Sequence, residues 1–264
     1  MPFIHANNIT LHYADEGEKS APTIVFSNSL GTDFRIWDAL IASLKSSGLN
    51  ARFIRYDKRG HGLSDVTPQP YKMDDHVDDL IALLDALDAK NVILFGLSVG
   101  GLISQGIYGK RPDLVRALVL SDTAHRIVGE SMWNGRIDTV NKNGIKSILD
   151  GIMERWFSKG YRSADNPDFS GYCNMLVQTT VDGYCGTCAA IRDTDFTEIA
   201  KSITVPTMLL VGSNDGATTP ELVASTHALI ANSRFEIIDG PGHLPCIEEP
   251  EETARLFMDF CKGL

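Results

Sequence analysis

Positive charge is scarce in this sequence. Its 264 residues carry 24 Lys and Arg against 34 Asp and Glu, a formal net charge of -10. Recognition of nucleic acid or of an anionic membrane surface needs clustered cations, so neither partner is expected. The deficit does not exclude a small anionic ligand, for which a few local cations suffice. Also missing is any apolar run near the ~20 residues that a membrane-spanning helix requires. The opening residues MPFIHANNIT hold no basic stretch followed by an apolar one, so no secretory signal is expected. The closing Lys262-Gly263-Leu264 is not the peroxisomal tripeptide. Cysteine is sparse: the five present are an odd number without framework spacing, which points to reduced thiols and a cytoplasmic location. Internal repeats and low-complexity segments are absent as well. The composition leaves a homo-oligomer open.

What is present is a chain long enough to bury a full core, as one α/β domain with an insertion or as two small domains. Residues 3–16 alternate in the manner of an N-terminal hairpin. Short apolar runs at 23–26, 51–56, 91–95, 117–120, 207–211 and 235–238 read as buried strands. Between them, segments near 35–46, 73–87, 100–111, 221–230 and 251–260 read as helices; Val77, Leu80, Ile81, Leu84 and Leu87 mark one helical face. Such alternation predicts an α/β fold, a mostly parallel sheet flanked by helices. The rhythm breaks between 124 and 200, where helices and loops replace strands. We expect a core of residues 1–123 and 201–264, with 124–200 as a helical cap insertion over the strand ends, where open parallel sheets bind ligands.

One stretch carries chemistry more plainly than the rest. Gly96-Leu97-Ser98-Val99-Gly100 follows the apolar run Asn91–Phe95 and precedes a helical segment. Random placement of 19 serines and 23 glycines would yield roughly 0.14 matches to G-x-S-x-G, so the context matters more than the pattern. A sharp strand-to-helix turn leaves no room for side chains beside the serine, and the amide of Val99 then faces charge developing on a bound carbonyl. A serine hydroxyl needs a base, and the base an orienting acid. His243 sits in Gly240-Pro241-Gly242-His243, directly after the last strand, and is the expected base. Asp215, in Gly212-Ser213-Asn214-Asp215-Gly216, is the expected acid; Asp122, past an earlier strand, competes for that role with a weaker turn context. The second oxyanion donor should come from the loop Ser27-Asn28-Ser29-Leu30-Gly31, with the Leu30 amide as the choice. Of the other histidines, His5 and His12 read as hairpin surface or pairing residues, His76 and His227 as solvent-facing helical residues, His61 as part of a glycine-flanked loop and His125 as a strand exit. The glycines of Asp57-Lys58-Arg59-Gly60-His61-Gly62-Leu63-Ser64 read as turn formers.

These motifs, D-x-R-G-H-G-x-S, G-x-S-x-G-G, G-x-x-D and G-x-G-H in this order, resemble the α/β-hydrolase superfamily over essentially the whole chain. Within it the chain is most similar to the 3-oxoadipate enol-lactonases of aromatic catabolism (the β-ketoadipate pathway), on Asn28-Ser29-Leu30-Gly31-Thr32-Asp33, Glu154-Arg155-Trp156-Phe157 and Ala190-Ile191-Arg192-Asp193. Many members of the superfamily carry His-Gly where this chain has Asn28-Ser29. The resemblance implies a serine esterase that opens an anionic lactone through an acyl-enzyme, with Ser98, Asp215 and His243 as catalytic triad and no metal or organic cofactor. It leaves as rivals another ester or carbon–carbon bond hydrolase, a cofactor-free perhydrolase, and a non-catalytic binding homologue. A substrate carboxylate calls for a cation, for which Arg35, Arg136, Arg155 and Arg192 are candidates. Trp133, Trp156 and Tyr184 are candidate substrate contacts if the cap covers the site. Cys185-Gly186-Thr187-Cys188 lacks the context of a redox or zinc motif and reads as packed or surface thiols.

Overall fold

The computed structural model describes residues 2–127 and 129–264. Strands β1 (Phe3–Ala6) and β2 (Ile9–Glu16) form the expected hairpin. Its two-residue turn is Asn7-Asn8, with φ of 47° and 62°, the conformation that a tight hairpin demands and asparagine tolerates. The remaining strands are β3 (Thr23–Ser27), β4 (Arg52–Tyr56), β5 (Val92–Leu97), β6 (Val115–Ser121), β7 (Thr207–Gly212) and β8 (Arg234–Ile238). They make one eight-stranded sheet in the order β1-β2-β4-β3-β5-β6-β7-β8. β2 is antiparallel to its neighbours, and every pair from β4 to β8 is parallel. Strands β3, β4, β5 and β7 are buried at every position, as covered parallel strands must be.

The helices are α1 (Asp38–Ser46), α2 (Met73–Ala86), α3 (Val99–Lys110), then α4 (Glu130–Asn143), α5 (Leu149–Trp156), α6 (Pro167–Val177), α7 (Val181–Arg192) and α8 (Thr197–Ser202) between β6 and β7, and finally α9 (Pro220–His227), α10 (Pro245–Glu248) and α11 (Pro250–Cys261). Phe26, Phe53 and Phe95 stack across β3, β4 and β5 with ring centroids 5.7 and 6.3 Å apart, and Trp37 and Phe257 of α11 pack on Phe95. The segment read as a helix from 35 begins instead as a 3-10 turn, Phe34–Trp37, because Asp33 caps the amide of Arg35. The helix expected to 230 stops at His227.

Topology fixes where a ligand can sit. The chain runs from β3 to β4 on one side, then crosses back to place β5 on the other side of β3. The loops leaving β3 and β5 therefore part company at their carboxyl ends, the switch point where α/β sheets bind ligands. The register sets the rest: Ser27 lies beside Gly96, Leu97 beside Ser121, Ser121 beside Leu210, and Gly212 beside Ile238. The loops carrying Leu30, Ser98, Asp122, Asp215 and His243 thus leave one sheet edge side by side. Helices α4, α5 and α7 supply residues to the pocket above that edge, and α8 runs on past residue 200 to Ser202.

Candidate active site

β5 does not end at Phe95. Gly96 and Leu97 continue the ladder with β6, and α3 begins at Val99, so the whole turn is compressed into Ser98. Its φ of 59° and ψ of -119° lie where L-residues are strained. A Cβ on Gly96 would run into the carbonyl of Gly100, and one on Gly100 into the carbonyl of Ser27, so the flanking glycines permit the bend. Ser98 is pinned by its amide on Ser121 O (2.9 Å) and by Thr123 Oγ1, which donates to Ser98 O (2.6 Å). The amides of Leu30 and Val99 take no hydrogen-bond partner among the described residues. Val99 opens a helix, whose terminus favours negative charge.

His243 is 2 % exposed. Its amide donates to Trp156 O (2.8 Å), and its Nδ1 meets Asp215 Oδ2 at 2.9 Å. With Nδ1 committed to the carboxylate, Nε2 is the nitrogen left for the pocket; it lies 3.5 Å from Ser29 Oγ. Among the described residues Ser98 Oγ makes no hydrogen bond to His243, a contact that free enzymes often form only once substrate is bound. Asp215 also accepts from the amides of Ala217 (2.7 Å) and Thr218 (3.0 Å). Burial works to raise its carboxyl, but the His243 charge and these hydrogen bonds outweigh it and hold Asp215 below the ordinary carboxylate range. Asp122, the competing acid of the sequence, lies in the same cluster. Burial and then the charge of Asp215 hold it well above that range. One ligand-type atom from each of Asp122, Asp215 and His243 lies within 4.8 Å of the others. This is the group among the described residues with the spacing of a metal site, but its imidazole Nδ1 and carboxylates are already engaged in hydrogen bonds.

Several supporting residues escape sequence reasoning. Lys58 is 1 % exposed and donates to Ser29 O (2.5 Å) and Thr32 O (3.4 Å); burial pulls its ammonium down to about 7. His61 Nδ1 faces Arg59 O (3.1 Å), so Nε2 accepts from the Gly31 amide (3.0 Å). Burial, then the Lys58 charge, keeps that ring well below its usual range, which preserves the acceptor. The loop read as a glycine turn is thus also a brace for the loop that carries Leu30. The Lys-x-x-His spacing was the signal available. Glu248 accepts from Ser158 Oγ (2.5 Å) and Gly242 N (2.7 Å), tying the end of α5 to the histidine loop. Thr218 Oγ1 sits 2.7 Å from Asp215 Oδ2 and 3.3 Å from His243 Nδ1.

The pocket holding Ser98 and His243 has a volume of about 100 Å³, with Leu30, Trp133, Arg136, Arg155, Trp156 and Tyr184 in its wall. Arg136 stacks on Trp133, 4.8 Å from ring centroid to guanidinium. Neither Arg136 nor Arg155 forms an ion pair among the described residues. The other two arginine candidates lie elsewhere. Arg192 is bound by Asp193 (2.7 Å) and Asn134 (2.6 Å) and is not in the pocket wall. Arg35 pairs with Asp33 (2.6 Å), 62 % of its side chain exposed, and lines a separate cavity of about 320 Å³ that contains none of Ser98, Asp215 and His243.

His12 keeps the expected pairing role, opposite Phe3 in the hairpin, whereas His76 and His227, expected to face solvent, are both less exposed than that. His12 is buried between Phe3 and Phe34 and meets Asp57 Oδ2 at 2.7 Å. His76 is fully buried against Thr187 of α7 (3.2 Å) rather than facing solvent, because α7 covers that face of α2. His227 is half-buried on Ser233. Cys185 and Cys188 are buried free thiols of α7, and burial pushes both above the usual thiol range, Cys185 to about 11. Among the described residues no helix is long and apolar enough to cross a membrane.

Comparison with known proteins gives one consistent family. A family model described as alpha/beta hydrolase fold matches residues 22–250. The chain is 34% identical over 257 residues to 3-oxoadipate enol-lactonase 1 of Acinetobacter baylyi, covering 97% of this chain and 94% of that protein. It is 31% identical to 3-oxoadipate enol-lactonase 2 of the same organism, covering 95% of each. Among solved structures, the enol-lactonase from Burkholderia xenovorans LB400 superposes with a TM-score of 0.94 at 31% identity, over 99% of this chain and all of that one.

Proposed function

The chain belongs to the alpha/beta hydrolase fold family, and from that premise we propose that it is a serine hydrolase that opens the ring of a carboxylate-bearing enol-lactone, converting 3-oxoadipate enol-lactone to 3-oxoadipate in the cytoplasm as a step of aromatic catabolism. The observation that carries this reading is the pocket itself. Ser98 and His243 share it with Arg136 and Arg155, two arginines without ion-pair partners among the described residues, in a chain of net charge -10. The enol-lactonase relatives support the same substrate class.

In this mechanism Ser98 Oγ attacks the ring carbonyl while His243 Nε2 takes its proton. The carbonyl oxygen becomes an anion held by the Leu30 and Val99 amides, each contributing about 3 kcal/mol to lowering the barrier. Collapse of the tetrahedral adduct breaks the ring C–O bond and expels an enolate, a better leaving group than an ordinary alkoxide, which takes the proton back from His243. The opened chain stays attached to Ser98 as an ester. His243 then draws a proton from water, whose oxygen attacks the ester carbon; the bond to Ser98 Oγ breaks, Oγ takes that proton back from His243, and the released enol becomes the ketone. Asp215 orients the imidazole and stabilises its charged form. The substrate carboxylate lies toward Arg136 and Arg155, with Trp133 and Trp156 against the ring. These steps need no metal or organic cofactor.

Turnover of the enol-lactone compared with that of p-nitrophenyl acetate and butyrate tests the substrate. The lactone should be cleaved with the higher kcat/KM. Rapid cleavage of short esters with an inert lactone would replace this reading with a general esterase. Labelling by a fluorophosphonate probe, lost in Ser98→Ala, tests the nucleophile separately, and an unlabelled wild type would favour a non-catalytic homologue.

A further inference from the structure

We propose that Asp122 is a positioning residue that keeps a proton and donates it to Asp215, so that the two buried acids behind His243 carry one negative charge between them. The inference rests on the triad reading above and goes beyond it. Asp122 is fully buried and Asp215 is 4 % exposed. Their carboxylate oxygens and a His243 nitrogen lie within 4.8 Å of one another. Asp122 has no cationic partner of its own among the described residues. Its carboxyl group receives only neutral donors, Ser121 Oγ (2.5 Å) and Gly212 N (3.0 Å). Asp215, by contrast, has the imidazole and two amides. Two carboxylates this close in a dry site do not both ionise, and the better-solvated one keeps the charge. Burial and the Asp215 charge, which hold Asp122 well above the carboxylate range, agree with that assignment.

The position is also built. Asp122 follows β6 at φ 49°, with its amide on Leu210 O (2.7 Å) and its own carbonyl accepting from Thr218 Oγ1 (2.7 Å). The titratable groups facing it are Asp215 from the loop after β7, His243 from the loop after β8, and the buried Cys246 of α10. The consequence falls on the base. His243 reads the acids only through Asp215, and a hydrogen bond from Asp122 tempers the basicity of that carboxylate.

The sign of one shift tests this. The His243 midpoint is measured by imidazole NMR, assigned by its loss in His243→Gln, and compared with the acid limb of kcat/KM. Asp122→Asn replaces a neutral donor with a neutral donor, so the midpoint should stay within about 0.3 of wild type. Asp122→Ala removes the donor, and the midpoint should rise by about 0.5 or more. A midpoint in Asp122→Asn that falls by about 1 would mean a negative charge had been removed, overturning the proposal. Loss of activity in Asp122→Asn with Asp215→Asn still active would make Asp122 the triad acid and overturn it too. Should either variant fold poorly, infrared spectra of the wild type labelled with ¹³C-aspartate decide instead. A protonated carboxylic acid band persisting at pH 8 supports the proposal, and its absence defeats it. Neither spectroscopic measurement requires turnover of the lactone, so a wrong substrate leaves the test intact.

Discussion

At the scale of the residue, Ser98 is defined by what surrounds it more than by its hydroxyl. The left-handed backbone is allowed because Gly96 and Gly100 vacate the space that two carbonyls occupy. Gly100→Ala should therefore cost about 2–3 kcal/mol of stability by overpacking, measured by urea unfolding, and lower turnover in the fraction that folds. Ser98→Ala should keep the fold and reduce kcat by about 10⁴-fold or more. A Ser98→Ala protein with wild-type turnover would remove Ser98 from the mechanism. The residues that sequence makes legible here are those whose chemistry is local. Ser98, Asp215 and His243 each follow a strand within a glycine-marked turn, so short windows reveal them. Asp122 was visible only as a rival acid, because its pairing with Asp215 joins loops 93 positions apart in sequence.

At the scale of the element, the strands and helices were largely readable from apolar periodicity, and the errors lie at their ends. β5 runs two residues further than its apolar run because Gly96 and Leu97 still pair with β6. The braces were not readable, since each depends on segments brought together by the fold. Lys58 and His61 hold the loop of Leu30 from beneath. In the unfolded chain Lys58 keeps its proton to its ordinary value of 10.5, whereas folded it is pulled down to about 7. Between these values the unfolded state binds more protons, so this residue makes stability rise with pH. The unfolding free energy of wild type minus that of Lys58→Met should climb across that window by up to about 1.4 kcal/mol per pH unit. A flat difference would contradict the buried ammonium. Glu248 is the corresponding brace between α5 and the histidine loop. Glu248→Ala should lower kcat/KM about tenfold by loosening His243, while Glu249→Ala, exposed one position on, should leave kcat/KM unchanged. Equal effects would show that the link is not specific.

At the scale of the whole molecule, the proposed substrate is an acid and the protein itself carries a net charge of -10. The fold answers with a wall drawn from the segment between β6 and β7, where Arg136 and Arg155 face the pocket while Arg35 and Arg192 are drawn to local aspartates. Four arginines looked alike in sequence because neither helix rotation nor local pairing is encoded in a short window. The central claim is a hydrolase selective for a carboxylate-bearing enol-lactone, and the most direct test is its kcat/KM for the lactone acid relative to the methyl ester of that acid. A charge-assisted contact of about 1.5–3 kcal/mol predicts a preference of roughly 10- to 100-fold for the acid in wild type, lost in Arg136→Met/Arg155→Met. Equal cleavage of acid and methyl ester by the wild type would contradict the account.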